Sequence, residues 1–345
     1  MKPLFDLRSD TVTLPTKEML EAIPLAVLGD DVLEEDRAVK ELESTAAELF
    51  NKEGALLVPS GTFGNQLALA VHCQRGDEIY LSDFSHIIEH EVGAAPVLAG
   101  VQTRTITPKG TYLTWNDIEM KIRKTDDIHY PRPRLIELEN ALPNGNVMSL
   151  KDMDEIWQES KKFDLIIHLD GARIFNAAIA LNCHVKDIAS KADSIMFCLS
   201  KGLCAPVGSL LLGTKDFISK ARKIRKLMGG GMRQAGIIAA PGIIAINKMT
   251  ARLVEDHQNA NKLIELLQSY PYFNIPEKEL KINMVFVQAK NIEKNESWIN
   301  NLKKRGIITY PPENNWIRFV FHHGIKSNQM DILLDRMKES INEVF

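Results

Sequence analysis

Two side chains able to do covalent and acid–base chemistry stand at the ends of two short apolar runs. The first run, Leu165-Ile166-Ile167, is too short for a helix and ends in His168-Leu169-Asp170-Gly171. That is the pattern of a buried parallel strand delivering an acid at its carboxyl end. The second run, Ser194 to Leu199, ends in Ser200-Lys201-Gly202 and puts a lysine at the tip of a second strand. In open α/β sheets, ligands gather outside such strand ends. A lysine for a Schiff base and an acid opposite a pyridine nitrogen are what pyridoxal phosphate requires. The carboxylate keeps that nitrogen protonated, and a protonated ring is the better electron sink. Arg173, in the same stretch as Asp170, can reach the ring's phenolic oxygen, which leaves Lys201 as the covalent partner. The alternative is that Asp170 and Lys201 are solvated strand-end residues.

A phosphate site is the next requirement. Ala55-Leu56-Leu57-Val58-Pro59 reads as a strand, followed by Ser60-Gly61-Thr62-Phe63-Gly64-Asn65 and a helical run through Cys73. Strand, small-residue turn and helix point free backbone N–H groups at an anion. The turn matches neither a Walker lysine motif nor GxGxxG, and glycine used for positive φ is the competing explanation. His86-x-x-Glu89-His90 fits the HxxEH zinc pattern, so a zinc hydrolase is a rival reading. No later helix offers an obvious third ligand, and no metal is expected. His86 is better used lying flat on the cofactor ring, while His90 reads as a surface histidine.

The elements that position these residues alternate. After a strand at Glu78–Ser82, strands at Gln102–Ile106 and Arg134–Leu138 alternate with helical runs at Trp115–Arg123 and Leu150–Lys161. Such spacing makes βαβ units on a mostly parallel sheet. Before them, Phe5 to Thr11 is extended and polar, Thr16 can cap a short helix, and Asp36 precedes a helix with a stripe of Val39, Leu42, Ala46 and Leu49. After the lysine, Thr214–Leu227 is a basic helix that ends in Gly229-Gly230-Gly231-Met232-Arg233-Gln234, a loop suited to a site or a subunit seam. Strands near Met284–Gln288 and Ile317–Phe321, with helices at Glu296–Arg305 and Asn328–Asn342, read as a small α+β unit. The expected organisation is an arm at 1–13, a cofactor-binding large domain at 14–249 and a small C-terminal domain at 250–345.

Composition narrows the partners. The chain has 345 residues, a net charge of −3 and no long basic block, which disfavours nucleic acid and anionic membranes and favours a small-molecule substrate. The apolar run Ala235–Ile246 is too short to span a bilayer and contains Pro241. Cys73, Cys183, Cys198 and Cys204 show no CxxC spacing and sit among apolar residues, the usage of reduced core thiols in a cytoplasmic protein.

Taken together, Asp6-Leu7-Arg8-Ser9-Asp10-Thr11-Val12-Thr13, Gly29-Asp30-Asp31-Val32, Ser60-Gly61-Thr62, His86, Leu169-Asp170-Gly171-Ala172-Arg173, Leu199-Ser200-Lys201-Gly202-Leu203 and Gly229-Gly230-Gly231-Met232-Arg233-Gln234 resemble the low-specificity threonine aldolases. These belong to the β-eliminating lyase group of fold-type-I pyridoxal phosphate enzymes, and the resemblance covers essentially the whole chain. It implies a homo-oligomer, usually a tetramer built of dimers, with each site at a dimer seam. It also implies that Lys201 holds the cofactor, Asp170 the pyridine nitrogen and Arg173 the phenolic oxygen, while His86 stacks on the ring. Ser60, Gly61 and Thr62 would take the phosphate, helped by Lys226 and Arg233. Ser9 and Arg318 would take the substrate carboxylate, Arg318 by a two-pronged contact.

Two departures from the family stand out. Glu139-Asn140-Ala141-Leu142-Pro143-Asn144 replaces Glu-Asn-Thr-His-Asn, so Leu142 stands where a histidine meets the substrate's β-hydroxyl. Asp31-Val32-Leu33-Glu34 lacks the usual tyrosine. The implied reaction is Cα–Cβ cleavage of a β-hydroxy-α-amino acid to glycine and an aldehyde. β-Elimination or racemisation with the same cofactor, and cofactor binding without turnover, are the alternatives beside zinc hydrolysis.

Overall fold

The computed structural model describes residues 4–125, 127–276 and 282–345; residues 1–3 of the expected arm lie outside them. Seven strands form the main sheet: β2 (Gly54–Val58), β3 (Glu78–Ser82), β4 (Gln102–Ile106), β5 (Pro133–Glu139), β6 (Ile166–Asp170), β7 (Ser194–Cys198) and β8 (Ser209–Gly213). Their order is β2-β8-β7-β6-β5-β3-β4. Only β8 runs against the rest, antiparallel to both β7 and β2. The expected mostly parallel sheet is therefore present, with one reversed strand that composition does not separate from the lysine loop.

Helices cover both faces because both faces of the strands are apolar. On one side, helices Gly61–His72 and Lys215–Leu227 set Leu67, Ala68, Phe217 and Ala221 against Leu56, Val58 and Leu211. On the other, helices Arg37–Phe50, Leu150–Lys161 and Ile174–Leu181 pack on Leu57, Ile136, Leu169 and Phe197. Asp36 caps the first of these, accepting from Val39 N at 3.1 Å. Its inner stripe is Val39, Leu42, Ala46 and Phe50; Leu49, expected inside, is 38% exposed because Phe50 lies one residue further round onto the core face.

A second core is built by the C-terminal part. Antiparallel strands β9 (Phe273–Asn274), β10 (Met284–Ala289) and β12 (Ile317–Val320) carry it with helices Lys294–Lys304 and Met330–Val344. Trp298, Phe319, Leu333 and Met337 are fully buried there. Phe5 and Leu7 belong to the same core. They lie on or beside β1 (Phe5–Asp6), which pairs in parallel with β11 (Ile307–Ile308), and Val320 N donates to Leu7 O at 2.9 Å. The opening segment is thus a built-in strand of the C-terminal unit. Among the described residues no single helix is long and apolar enough to cross a membrane.

Candidate active site

A cavity of about 280 Å³ opens at the carboxyl ends of β6 and β7, lined among others by Thr11, Gly61, Thr62, His86, Asp170 and Lys201. Asp170 is the last residue of β6, and Lys201 follows the end of β7 in a loop whose carbonyl at Lys201 accepts from Thr13 Oγ1 at 2.8 Å. Ser60 caps helix Gly61–His72, accepting from Phe63 N at 3.2 Å. The N–H groups of Gly61 and Thr62 make no hydrogen bond among the described residues, and both residues line this cavity. A side chain at Gly61 would bring its Cβ to 3.0 Å from Cys198 Sγ and 3.2 Å from Met196 Cε, so glycine is what lets the helix start come this close to β7.

Asp170 is buried and accepts from Asn65 Nδ2 at 2.7 Å and from Ala172 N at 2.9 Å. Asn65 uses its second amide hydrogen on Glu91 Oε1 at 2.9 Å, and its carbonyl is met by His168 Nε2 at 3.2 Å. Burial pushes His168 down to about 4, so the ring is neutral, donating from Nε2 and accepting at Nδ1 from Ser194 Oγ. Glu91 also receives Gln66 Nε2 at 2.6 Å and His86 Nδ1 at 2.9 Å. With the carboxylate as acceptor, His86 carries hydrogen on Nδ1, and its Nε2 makes no hydrogen bond among the described residues.

The second cavity, about 660 Å³, is lined among others by His90, Glu137, Glu139, Leu142, Trp316 and Arg318. The two cavities meet at the Ser85-His86 turn: Ser85 Oγ donates to Glu137 Oε2 at 2.7 Å and His86 N to Glu139 Oε2 at 3.4 Å. Glu137 and Glu139 share one face of β5, in register with His168 and Asp170 of β6. Burial pushes the Glu137 carboxyl up to about 8 against the pull of Ser85, with Asp170 and Glu91 adding to the rise. Glu139 is held well above the carboxylate range by burial, then by Asp170 and Glu137. Arg318 on β12 has no hydrogen bond or ion pair from its guanidinium recorded among the described residues; burial and then the nearby Arg173 lower its pKa.

The other expected residues fall as follows. Arg173 is clamped by Asp10, Nε to Oδ2 at 2.8 Å and Nη2 to Oδ1 at 2.7 Å. Burial alone would raise Asp10, and Arg173 overrides it to hold the carboxyl below its usual range. Ser9 is buried beside it and accepts from Thr11 N at 3.2 Å. Leu142 is 9% exposed on the larger cavity's wall, in a loop tied by Asn140 Nδ2 to Met148 O at 3.0 Å. Lys226 and Arg233 are not in either cavity within one chain. Lys226 lines a separate basic cavity, and Arg233 is exposed and pairs with Asp30 at 2.7 Å. One set of potential metal donors is present among the described residues, His86, Glu91 and Asp170, and it does not include His90. The HxxEH pair therefore does not converge on one point.

Sequence reasoning missed Asn65, Glu91 and Glu137. Asn65 and Gln66 carried a usable signal, two polar residues on a helix otherwise reading LALAV. Glu137 carried another, an acid inside the apolar run Leu135-Ile136 to Leu138.

The sequence profile of the family described as Beta-eliminating lyase matches residues 6–290. A low specificity L-threonine aldolase of Escherichia coli (strain K12) is 47% identical over 267 residues, covering 77% of this chain and 79% of that protein. A probable low-specificity L-threonine aldolase 2 of Arabidopsis thaliana is 40% identical over 337 residues, 95% of each chain. Among solved structures, the threonine aldolase of Leishmania major superposes with a TM-score of 0.84 over 97% of this chain and 99% of that one; at 17% identity this likeness shows the fold alone. With the profile spanning most of the chain and close relatives matched nearly end to end, the chain belongs to the beta-eliminating lyase family.

Proposed function

We propose that this protein is a pyridoxal phosphate-dependent lyase that cleaves the Cα–Cβ bond of a β-hydroxy-α-amino acid to glycine and an aldehyde. The observation that carries this reading is the pairing of two cavities. One holds Lys201, Asp170 and an open helix start, and its neighbour is lined by Arg318, whose guanidinium has no hydrogen bond or ion pair among the described residues. The residues fit the cofactor: a lysine for covalent attachment, a buried acid, free N–H groups for phosphate, and a glycine where a Cβ would crowd β7. The relatives named as threonine aldolases support the reaction. When bound, pyridoxal phosphate supplies the electron sink that stabilises charge at Cα.

The remaining tasks belong to the chain. Asp170, fixed by Asn65 and Ala172, would hold the pyridine nitrogen, and Arg173, fixed by Asp10, the phenolic oxygen. His86, oriented by Glu91, would lie on the ring. Gly61 and Thr62, with Ser60 fixing the helix start, would bind the phosphate. In this reading Lys226 and Arg233 assist only in a homo-oligomer, brought by another copy. Arg318 and Ser9 would take the substrate carboxylate, and Leu142 with Trp316 would face the β-substituent. A cavity of about 660 Å³ leaves room for far more than a methyl group, so phenylserine should be cleaved better than threonine. Free thiols and a small-molecule site fit the cytoplasm.

The test is direct. Protein loaded with the cofactor is given threonine and phenylserine, and glycine, ammonia and aldehyde are measured. Borohydride reduction should fix the cofactor to Lys201, and Lys201→Ala should abolish the labelling. Label on another lysine, or ammonia in place of glycine, would sink the assignment.

A further inference from the structure

The cleavage needs a group to receive the β-hydroxyl proton, and Leu142 cannot be that group. Leu142 lines the larger cavity, and the same cavity is lined by His90. His90 closes the short helix His86–Glu89, with its N–H donating to His86 O at 2.9 Å, which fixes its place one turn beyond His86. The two rings meet edge on at 5.4 Å between centroids. Neither ring nitrogen of His90 has a hydrogen bond recorded among the described residues. By contrast, His86 is bound through Nδ1 to Glu91. His90 is therefore an uncommitted imidazole on the wall that also carries Leu142 and Arg318.

We propose that His90 is a catalytic residue, the acid–base group for the substrate's β-hydroxyl, taking from a different element the role that Leu142 cannot perform. This rests on the aldol-cleavage reading above. In the step, the hydroxyl O–H bond breaks and its electron pair becomes the second bond of the aldehyde carbonyl, while the proton passes to a ring nitrogen of His90. The Cα–Cβ pair ends as the Cα–H bond of glycine, with that proton or one from water. The reverse, aldehyde and glycine condensing, uses His90 as the acid.

Three proteins test it: His90→Phe, which keeps a ring of similar size, Leu142→His, and the double variant. Cleavage of phenylserine by His90→Phe should fall roughly 10²-fold in kcat, within the range a positioned acid–base group supplies. Glycine carries no β-carbon, so its calorimetric dissociation constant should stay within about twofold. The double variant should regain at least tenfold of the lost kcat, because Leu142→His returns an imidazole to the same cavity. His90→Gln, which hydrogen-bonds without accepting a proton at neutral pH, should behave as His90→Phe. His90→Phe cleaving within threefold of the unmodified protein overturns the proposal, as does a tenfold loss of glycine affinity, which would mark a structural role. If the unmodified protein itself forms no glycine, the aldolase reading fails and this proposal falls with it; that outcome is read before any variant is made.

Discussion

Among the described residues, Arg318 is the only lysine or arginine lining the larger cavity, where Glu137, Glu139, Glu89 and Glu313 are also present. A buried guanidinium with no hydrogen bond or ion pair among the described residues, felt by Asp10 and Glu313 only at a distance, is suited to receive an anion. A charge-assisted hydrogen bond is worth roughly 1.5–3 kcal/mol. Arg318→Ala should therefore weaken binding of an amino acid about ten- to a hundredfold while the absorbance of the bound cofactor stays unchanged. Loss of cofactor or of folding instead would show that the arginine is structural. The family resemblance pointed to Arg318, and an arginine between Ile317 and Phe319 on a strand is either half of a buried ion pair or an anion receptor. It did not point to His90, because an exposed histidine on a polar turn looks the same whether a cavity lies beneath it or not.

On β5 two acids alternate with Ile136 and Leu138, so one face of a central strand is acidic and the other apolar. The strand itself was readable from its apolar run, as were β6 and β7, because buried parallel strands leave near-continuous hydrophobic stretches. The reversed β8 was not, since direction leaves no trace in composition. Nor were β1 and β11, which are two residues each and set by tertiary pairing. Glu137 gives the strand a measurable pH signature. Its carboxyl ionises at about 8 when folded against an ordinary 4.5. Stability from this group is complete below the lower value, falls as pH rises between the two, and is lost above the upper one. Glu137→Gln is neutral throughout and still accepts from Ser85. The unfolding midpoint of the variant relative to the parent should thus rise from about pH 5 to about pH 9, by roughly 1–2 °C for each kcal/mol released. A difference that stays flat across that range would contradict the assigned ionisation.

Several segments belong to both cores: β10 gives Met284 to the first and Val285 to the second, and β12 gives Val320 to the first and Phe319 to the second. Helix Leu253–Gln268 enters from the first core at Leu253 and reaches the second at Ala260. The opening strand does the converse: Phe5 and Leu7 are buried in the second core, and within a few residues Asp10 clamps Arg173 and Thr13 holds the Lys201 carbonyl. Phe5→Ala should cost about 3–5 kcal/mol in stability by leaving a cavity in that core. It should also weaken amino-acid binding, because Ser9 and Asp10 are positioned by the same strand. A variant destabilised by that amount with unaltered affinity would show that strand and site are uncoupled. The same arrangement sets a timetable for synthesis. Residue 5 leaves the ribosome long before residue 307, and at 5–20 residues per second the wait is about 15–60 s. Until β11 arrives, β1 has no partner strand. The nascent large sheet can form early, and a chain released short of β11 carries every residue lining the cofactor cavity while β1, which leads into Asp10 and Thr13, still waits for the strand it pairs with.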